Sequence, residues 1–194
     1  MRVVAGSLRG RQIAAPRGDA TRPTSVRVRE AVFSSLYSLS PTIFRGGRVL
    51  DAFAGSGALG IEALSRGCRS ATFVEKDRAA LDCLRTNVRS LGLAASARVV
   101  PGDSLALAAR GALPGGPFAL LLLDPPYRLD TRDVVALVGG LAARDLLELE
   151  ALVVVEHSTG VAVEWPSEFR LVTRKRYGTT EVDIAVCERG VATS

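Results

Sequence analysis

The chain has 194 residues, of which 47% are hydrophobic and 23% charged, and its formal net charge is +5. This composition predicts one globular domain that buries roughly 70% of the surface of its unfolded chain. No apolar run approaches the roughly 20 residues of a transmembrane helix, and no signal peptide is evident. Three cysteines without a Cys-x-x-Cys motif, and a single histidine, argue against a disulfide framework or zinc site. We expect a cytoplasmic protein without a catalytic metal.

The first part of the chain is basic, with nine arginines against two acidic residues over 1–48. Two short β-like segments flank a glycine-rich turn, which predicts a hairpin with a basic tip. We expect this hairpin to form a small extension over 1–20, ahead of a main domain over 21–194. An amphipathic helix follows from Thr24, with Arg27 near its start. A basic surface of this kind is typical of proteins that grip phosphates.

The next segment has the pattern strand, glycine loop, helix. A short apolar strand ends at Asp51, and the loop leads into a helix predicted over 58–66. Gly55, Gly57 and Gly60 also satisfy the G-x-G-x-x-G dinucleotide fingerprint, which is a weak signal alone. Asp51 argues against a dinucleotide, because a carboxylate at the loop would repel a pyrophosphate. The same carboxylate suits the ammonium group of S-adenosylmethionine.

Two further strands also lead to acidic residues. The strand predicted over 71–75 ends at Glu75, which is placed to bind ribose hydroxyls. The strand over 97–101 is followed by Asp103, which can accept from an adenine amino group or cap the helix predicted over 104–110. Between them, a helix over 77–91 shows a strong apolar face.

The most informative run is Asp124-Pro125-Pro126-Tyr127, which follows an apolar strand over 118–123. The two prolines stiffen the backbone and remove two donors, so that carbonyl oxygens face outward. Asp124 and a neighbouring carbonyl can accept both N–H groups of an exocyclic amine while Tyr127 stacks on the base. Asp and Pro are also ordinary turn residues, and an ordinary turn is the alternative interpretation.

The remaining pattern gives the architecture. A helix is predicted over 131–143, a strand over 151–156, and a hairpin over 169–177 and 179–187. Alternating strands and helices predict an α/β fold with a mainly parallel sheet, to which the hairpin adds an antiparallel edge strand. Acids at four consecutive strand ends favour one ligand site, because ligands bind beyond the carboxyl ends of parallel strands. His157, Trp165 and Arg174 are interpreted as packing or surface residues.

Together these residues resemble the bacterial RsmD family, a group of Rossmann-like class I methyltransferases. The motifs that carry the resemblance are Arg2–Arg11, Arg22-Pro23-Thr24, Arg27–Glu30, Leu50–Arg66 and the Asp124 run. The resemblance spans essentially the whole chain. It implies transfer of a methyl group from S-adenosylmethionine to a guanine N2 of 16S ribosomal RNA, in the small subunit or an assembly intermediate.

The resulting site assignments are expectations. The predicted catalytic residues are Asp124, Pro125 and Tyr127. The predicted cofactor-binding residues are Asp51, Gly55, Ser56, Gly57, Glu75, Lys76, Asp103 and Ser104. The predicted substrate-binding residues are Arg9, Arg11, Arg22, Thr24, Arg27 and Pro126.

Other functions remain open at this stage. The alternative is an amino-methyltransferase that acts on adenine N6 of DNA or on another RNA, since it would share the Asp124 corner. A cytosine-C5 enzyme needs a cysteine nucleophile, and no cysteine lies near Asp124. In a dinucleotide oxidoreductase, Asp51 and the two prolines would have no function. In a non-enzymatic RNA-binding protein, the four acidic residues at the strand ends would have no function. We expect a monomer with no membrane partner.

Overall fold

In the computed structural model, which describes residues 1–15, 26–126 and 128–189, strands and helices alternate along the chain. The strands are β1 (Arg48–Asp51), β2 (Ser70–Glu75), β3 (Ala97–Pro101), β4 (Phe118–Leu123), β5 (Leu147–Ser158), β6 (Phe169–Tyr177) and β7 (Thr180–Cys187). The helices are α1 (Val26–Leu39), α2 (Ala58–Ser65), α3 (Arg78–Ser90), α4 (Ser104–Ala109) and α5 (Thr131–Ala142). A short 3-10 helix, Pro41–Arg45, joins α1 to β1.

Within these residues the strands form one sheet in the order β3-β2-β1-β4-β5-β7-β6. Strands β1 to β5 are parallel, and β7 is antiparallel to both of its neighbours. The predicted α/β class with a C-terminal hairpin is therefore confirmed. The expectation that the antiparallel strand forms the edge is wrong, because β7 inserts between β5 and β6. Strand β7 is largely buried, whereas β6 is mostly exposed and rich in Arg and Lys, which suits an edge.

Two apolar cores cover the two faces of the sheet. Helices α1, α2 and α3 pack on one face, and α4 and α5 pack on the other. Successive residues of a strand alternate between the faces, so Leu122 joins the first core and Leu123 the second. Strand β4 is buried along its whole length, which explains its unbroken apolar sequence.

The N-terminal segment, defined here as residues 1–15, folds back on itself against helices α2 and α3. One isolated antiparallel bridge joins Arg2 to Gln12, and the Val3 amide donates to the Arg11 carbonyl at 3.0 Å. Val3 and Ile13 contribute to the first core, so the segment is docked by apolar contacts as well. None of the helices in the described ranges combines the length and hydropathy needed to cross a bilayer.

Candidate active site

The carboxyl ends of the central strands bring three acidic residues together. Asp51, at the end of β1, pairs in register with Phe73 of β2 and Leu122 of β4. Glu75 and Asp124 each lie two residues beyond those partners, on either side of Asp51. Glu75 is the last residue of β2 and Asp124 directly follows β4, and both act electrostatically on Asp51, so the three carboxyl groups lie at one edge of the sheet. The glycine loop that follows β1 and the turn Asp124–Pro126 that follows β4, here named the proline corner, are therefore neighbours.

Asp51 is the buried member of this group. Its side chain is 1% exposed, and its Oδ2 accepts a hydrogen bond of 2.9 Å from the Gly60 amide. Burial is the largest of the causes that raise the pKa of Asp51 to about 7. The negative charges of Asp124 and Glu75 act in the same direction, while the Gly60 amide opposes them. Such a carboxyl group favours a cationic ligand, which would restore its charged form.

The glycine loop connects Asp51 to helix α2 in a tight backbone path. Gly55 and Gly57 have φ angles of +53° and +83°, in the left-handed region that favours glycine. Glu75 closes the loop from the neighbouring strand, because its Oε2 accepts from the Gly55 amide at 2.7 Å. Its Oε1 accepts from the Lys76 and Asp77 amides, each at 2.8 Å. The loop and the end of β2 thus form one rigid unit.

Asp103 has partners for both carboxylate oxygens. Its Oδ1 accepts from the Leu105 and Ala106 amides and caps α4, as the alternative interpretation predicted. Its Oδ2 accepts from Lys76 Nζ at 2.9 Å, and this bond is the main reason that the pKa of Asp103 is lowered. The Ser104 hydroxyl donates to the Ala52 carbonyl, which joins the start of α4 to the end of β1.

The proline corner follows β4. Asp124 and Pro125 are half-buried and Pro126 is exposed, while Tyr127 lies outside the described residues. The Pro126 carbonyl accepts from the Leu129 amide at 2.8 Å, so the turn continues towards α5. In the part of the chain that the structure describes, no group of three or more His, Cys, Asp or Glu side chains is arranged to hold a metal ion.

Arg11, one of the predicted substrate arginines, lies apart from this edge. Arg11 donates to the carbonyl of Ser90, the last residue of α3, at 3.0 Å. Arg9 belongs to the same turn, which contacts Ser65 at the end of α2. Because α3 begins at the end of β2, beside Glu75, and has 13 residues, the Arg11 guanidinium lies about 20 Å away along the helix axis. Arg27 is exposed in the first turn of α1. Arg22 and Thr24 lie outside the described residues.

Glu62, which the sequence analysis did not single out, anchors the N-terminal segment on α2. Its carboxylate is fully buried and accepts from the Val4 and Ala5 amides at 2.8 and 3.0 Å. Arg66 donates to the same group at 2.8 Å, and Arg29 lies 3.6 Å away as a second counter-ion. A glutamate within a mostly apolar helix was the available signal, although its partners are far away in sequence.

Asn87 is a second residue of this kind. It lies between Leu84 and Val88 on the apolar face of α3 and is 2% exposed. Its side chain contacts both Ala14 of the N-terminal segment and Ser56 of the glycine loop. The predicted cofactor residue Ser56 is itself buried, and its carbonyl accepts from Asn87 Nδ2 at 2.9 Å.

A third buried group joins the residues that were interpreted as packing or surface positions. Asp183 of β7 accepts two bonds of 2.7 Å from Arg174 and one of 3.2 Å from Trp165 Nε1. His157 Nε2 lies 3.5 Å from the same carboxylate. Burial alone would raise the pKa of Asp183, but these three partners outweigh it and hold the pKa below its ordinary value.

Known proteins resemble the whole chain. A profile of the family described as "Conserved hypothetical protein 95" matches residues 1–186. A Bacillus subtilis protein named "Putative rRNA methyltransferase YlbH" is 37% identical over 185 residues, which cover 95% of this chain and 97% of the relative. A Haemophilus influenzae protein named "Ribosomal RNA small subunit methyltransferase D" is 30% identical over 178 residues, which cover 92% of this chain and 89% of the relative.

The fold agrees with solved structures. The structure described as "Putative methyltransferase yhhF from Escherichia coli" is similar with a TM-score of 0.82 and 35% identity, and the match covers 97% of this chain and 98% of that one. The predicted class I methyltransferase fold is therefore confirmed. Because the family profile spans nearly the whole sequence and both relatives match over most of their length, the chain belongs to the RsmD family, that of ribosomal RNA small subunit methyltransferase D.

Proposed function

We propose that this chain transfers a methyl group from S-adenosylmethionine to the exocyclic N2 of a guanine in 16S ribosomal RNA. The substrate is the small ribosomal subunit, or an assembly intermediate of it, in the cytoplasm. One observation carries the proposal: Asp51 lies between Glu75 on the cofactor side and Asp124 on the amine side, on adjacent strands. The names of the relatives support RNA as the methyl acceptor.

The residues around the glycine loop, at the carboxyl ends of β1 and β2, have the chemistry to bind S-adenosylmethionine, the methyl donor. The Asp51 carboxylate would hold the ammonium of the methionine part, against the backbone of Gly55, Ser56 and Gly57. Glu75 would accept from the ribose hydroxyls through Oε2, which has a second lone pair beyond its bond to the Gly55 amide. Lys76, Asp103 and the Ser104 amide would border the adenine. When bound, the donor supplies an electrophilic methyl group on sulfur, which nitrogen attacks as the carbon–sulfur bond breaks.

The proline corner would position the amine. The amino lone pair of guanine is delocalised into the ring, so the group is a weak nucleophile. The Asp124 carboxylate and the Pro125 carbonyl would each accept one N–H bond and direct the nitrogen at the methyl group. The same two acceptors stabilise the positive charge that develops on nitrogen, and Asp124 or water then takes the proton.

Recognition of RNA would use groups on both sides of this corner. The target base must leave its stack to reach Asp124, and we propose that Tyr127 stacks on it beside Pro126. The exposed guanidinium groups of Arg9, Arg11 and Arg27, together with Arg22 and Thr24, would contact the backbone of the RNA. A contact at Arg11, about 20 Å from the acidic strand ends, suits a substrate as large as a ribosomal subunit.

The test is a transfer assay with S-adenosylmethionine that carries a labelled methyl group. Small subunits, large subunits and duplex DNA are each incubated with the full chain, with small subunits taken from cells that lack the family's methyltransferase. We expect label in the small-subunit RNA alone. Label in DNA or in large-subunit RNA would overturn the proposed substrate, and no label in any of the three would overturn the proposed activity.

A further inference from the structure

The side chain of Asn87 uses its full donor capacity to connect two parts of the chain. Its Oδ1 accepts from the Ala14 amide at 2.9 Å, and its Nδ2 donates to the Ala14 carbonyl at 3.0 Å. The second N–H of Nδ2 donates to the Ser56 carbonyl at 2.9 Å. A carboxamide that binds both backbone groups of one residue replaces a strand neighbour, so Ala14 is held in register against α3.

The contact with Ser56 gives this side chain a role at the donor site. Ser56 is the central residue of the Gly55-Ser56-Gly57 loop, and its carbonyl is buried beneath that loop. Helix α3 also packs closely on Gly57, because a Cβ there would lie 2.4 Å from Leu84 Cδ1. The position of the loop therefore depends on α3 and on the N-terminal segment, in addition to the strand and helix that flank it.

The N-terminal segment has a second anchor near its middle, at Ala5 and Leu8. The Ser65 hydroxyl donates to the Ala5 carbonyl at 2.5 Å and accepts from the Leu8 amide at 3.0 Å. The exposed arginines Arg9 and Arg11 lie in this segment. A change in its docking can therefore reach the glycine loop through Asn87.

We propose that Asn87 is a positioning residue that links docking of the basic N-terminal segment to the affinity of the glycine loop for the methyl donor. The inference rests on the proposed function, because it takes the loop as the donor site. It adds a thermodynamic coupling between the surface that would contact RNA and the site that holds the donor. Such a coupling is reciprocal: RNA that secures the segment tightens donor binding, and bound donor secures the segment.

The experiment measures binding of S-adenosylhomocysteine to the full chain by calorimetry, with the thermal transition of each variant recorded beside it. Asn87→Ala leaves the buried Ser56 carbonyl without this donor, and we expect Kd to rise about tenfold while kcat at saturating donor changes less than threefold. Thr86→Ala is the matched control, because the Thr86 hydroxyl bonds within its own helix, to the Asp82 carbonyl. We expect its Kd within twofold of wild type.

A double-mutant cycle separates coupling from general destabilisation. Ser65→Ala loosens the second anchor of the segment, so we expect a Kd about threefold weaker in wild type and unchanged in the Asn87→Ala background. If the alanine variant lacks a single cooperative thermal transition, Asn87→Ser replaces it in the same series. A Kd within twofold of wild type for the Asn87 variant, or an equal effect of Ser65→Ala in both backgrounds, would overturn the inference alone. Failure of the wild type to bind S-adenosylhomocysteine would overturn the proposed function as well.

Discussion

The amide of Gly60 donates a hydrogen bond of 2.9 Å to the Asp51 carboxylate, and the bond depends on the missing side chain of Gly60. A Cβ at this position would lie 2.3 Å from the Phe73 ring and 3.1 Å from Asp51 Oδ2. Helix α2 can therefore approach the end of β1 closely enough to shield Asp51 from water. The close packing explains why the pKa of this carboxyl group is raised to about 7.

Donor binding is expected to depend on pH through Asp51. A cationic donor requires the charged carboxylate, so binding must release a proton when Asp51 is protonated. Between pH 7.5 and pH 6 we expect the Kd for S-adenosylmethionine to rise about tenfold. Calorimetry across this range checks the effect, and Asp51→Asn serves as the control because it should bind weakly at every pH. A wild-type Kd that stays constant over the range would contradict the assignment.

Without the donor, the stability of the chain should depend on the pH in the opposite direction. Since the folded-state pKa of Asp51 lies above its unfolded value, folding favours the protonated form. The charge on Asp51 therefore costs stability above about pH 7, and this cost is relieved as the pH falls from 7 towards 4. The free energy of unfolding of wild type, relative to that of Asp51→Asn, should accordingly rise as the pH is lowered from 7 to 4.

Removal of the Asp124 carboxylate should strongly reduce turnover while the donor still binds. Asp124→Ala loses one of the two proposed acceptors for the amine, and we expect kcat to fall by about 10²–10³. The Kd for S-adenosylmethionine should remain within threefold of wild type. Asp133→Asn changes an exposed acid in the first turn of α5 and should leave both quantities unchanged. A fully active Asp124→Ala enzyme would remove the proposed role.

Alanine variants of two glycines with nearly equal φ angles separate the cost of backbone strain from the cost of steric contact. A Cβ on Gly57, where φ is +83°, would lie 2.4 Å from Leu84 Cδ1, whereas a Cβ on Gly10, where φ is +81°, would have no atom of the described residues within 4 Å. We expect Gly10→Ala to cost about 1 kcal/mol, from strain alone. Gly57→Ala should cost about 2–4 kcal/mol because overpacking is added. Urea unfolding of both variants measures the difference, and equal losses would show that the Leu84 contact contributes nothing.

The buried contacts of Asp183 with Arg174, Trp165 and His157 should contribute to the free energy of unfolding. Asp183→Asn leaves Arg174 without its bidentate partner, and we expect a loss of about 3 kcal/mol, because that guanidinium is partly exposed. As a control, Glu188→Gln breaks the exposed pair with Arg170 and should cost less than about 1 kcal/mol.

The pH dependence of this group follows from the pKa of His157. Burial lowers that pKa, but the Asp183 carboxylate, the Ser158 carbonyl and the charge of Glu181 together outweigh burial, and the net shift is upward. The stabilisation by His157 is therefore complete below its unfolded pKa of about 6.5 and is lost as the pH rises through the folded value. The stability difference between wild type and His157→Gln should shrink from pH 6 to pH 9. A difference that stays constant over this range would exclude ionisation of His157 as its cause.

Much of the site could be predicted because its residues follow local rules. Asp51, Glu75 and Asp124 each lie at or just beyond the end of an apolar strand, and parallel strands bring such ends to one edge. A helix cap was one of the two interpretations of Asp103, from its position before Ser104, and the cap is confirmed. These interpretations needed only the alternation of strands and helices.

The buried polar contacts of the N-terminal segment could not be predicted, because they join residues that are distant in the sequence. Glu62 binds amides 57 and 58 residues away, and Asn87 binds Ala14 across 73 residues. Hydrophobic periodicity marks both as buried positions and does not identify their partners. The insertion of β7 inside the sheet likewise follows from its greater burial relative to β6, which is a property of the assembled sheet.

The most direct measurement identifies the methylated atom. Small subunits from cells that lack the family's methyltransferase are treated with this chain and labelled S-adenosylmethionine, and the 16S RNA is digested to nucleosides for mass spectrometry. We expect the label in N2-methylguanosine, and none after treatment with Asp124→Ala. Label in methylated adenosine or cytidine would contradict the proposal that the Asp124-Pro125 corner receives a guanine amine.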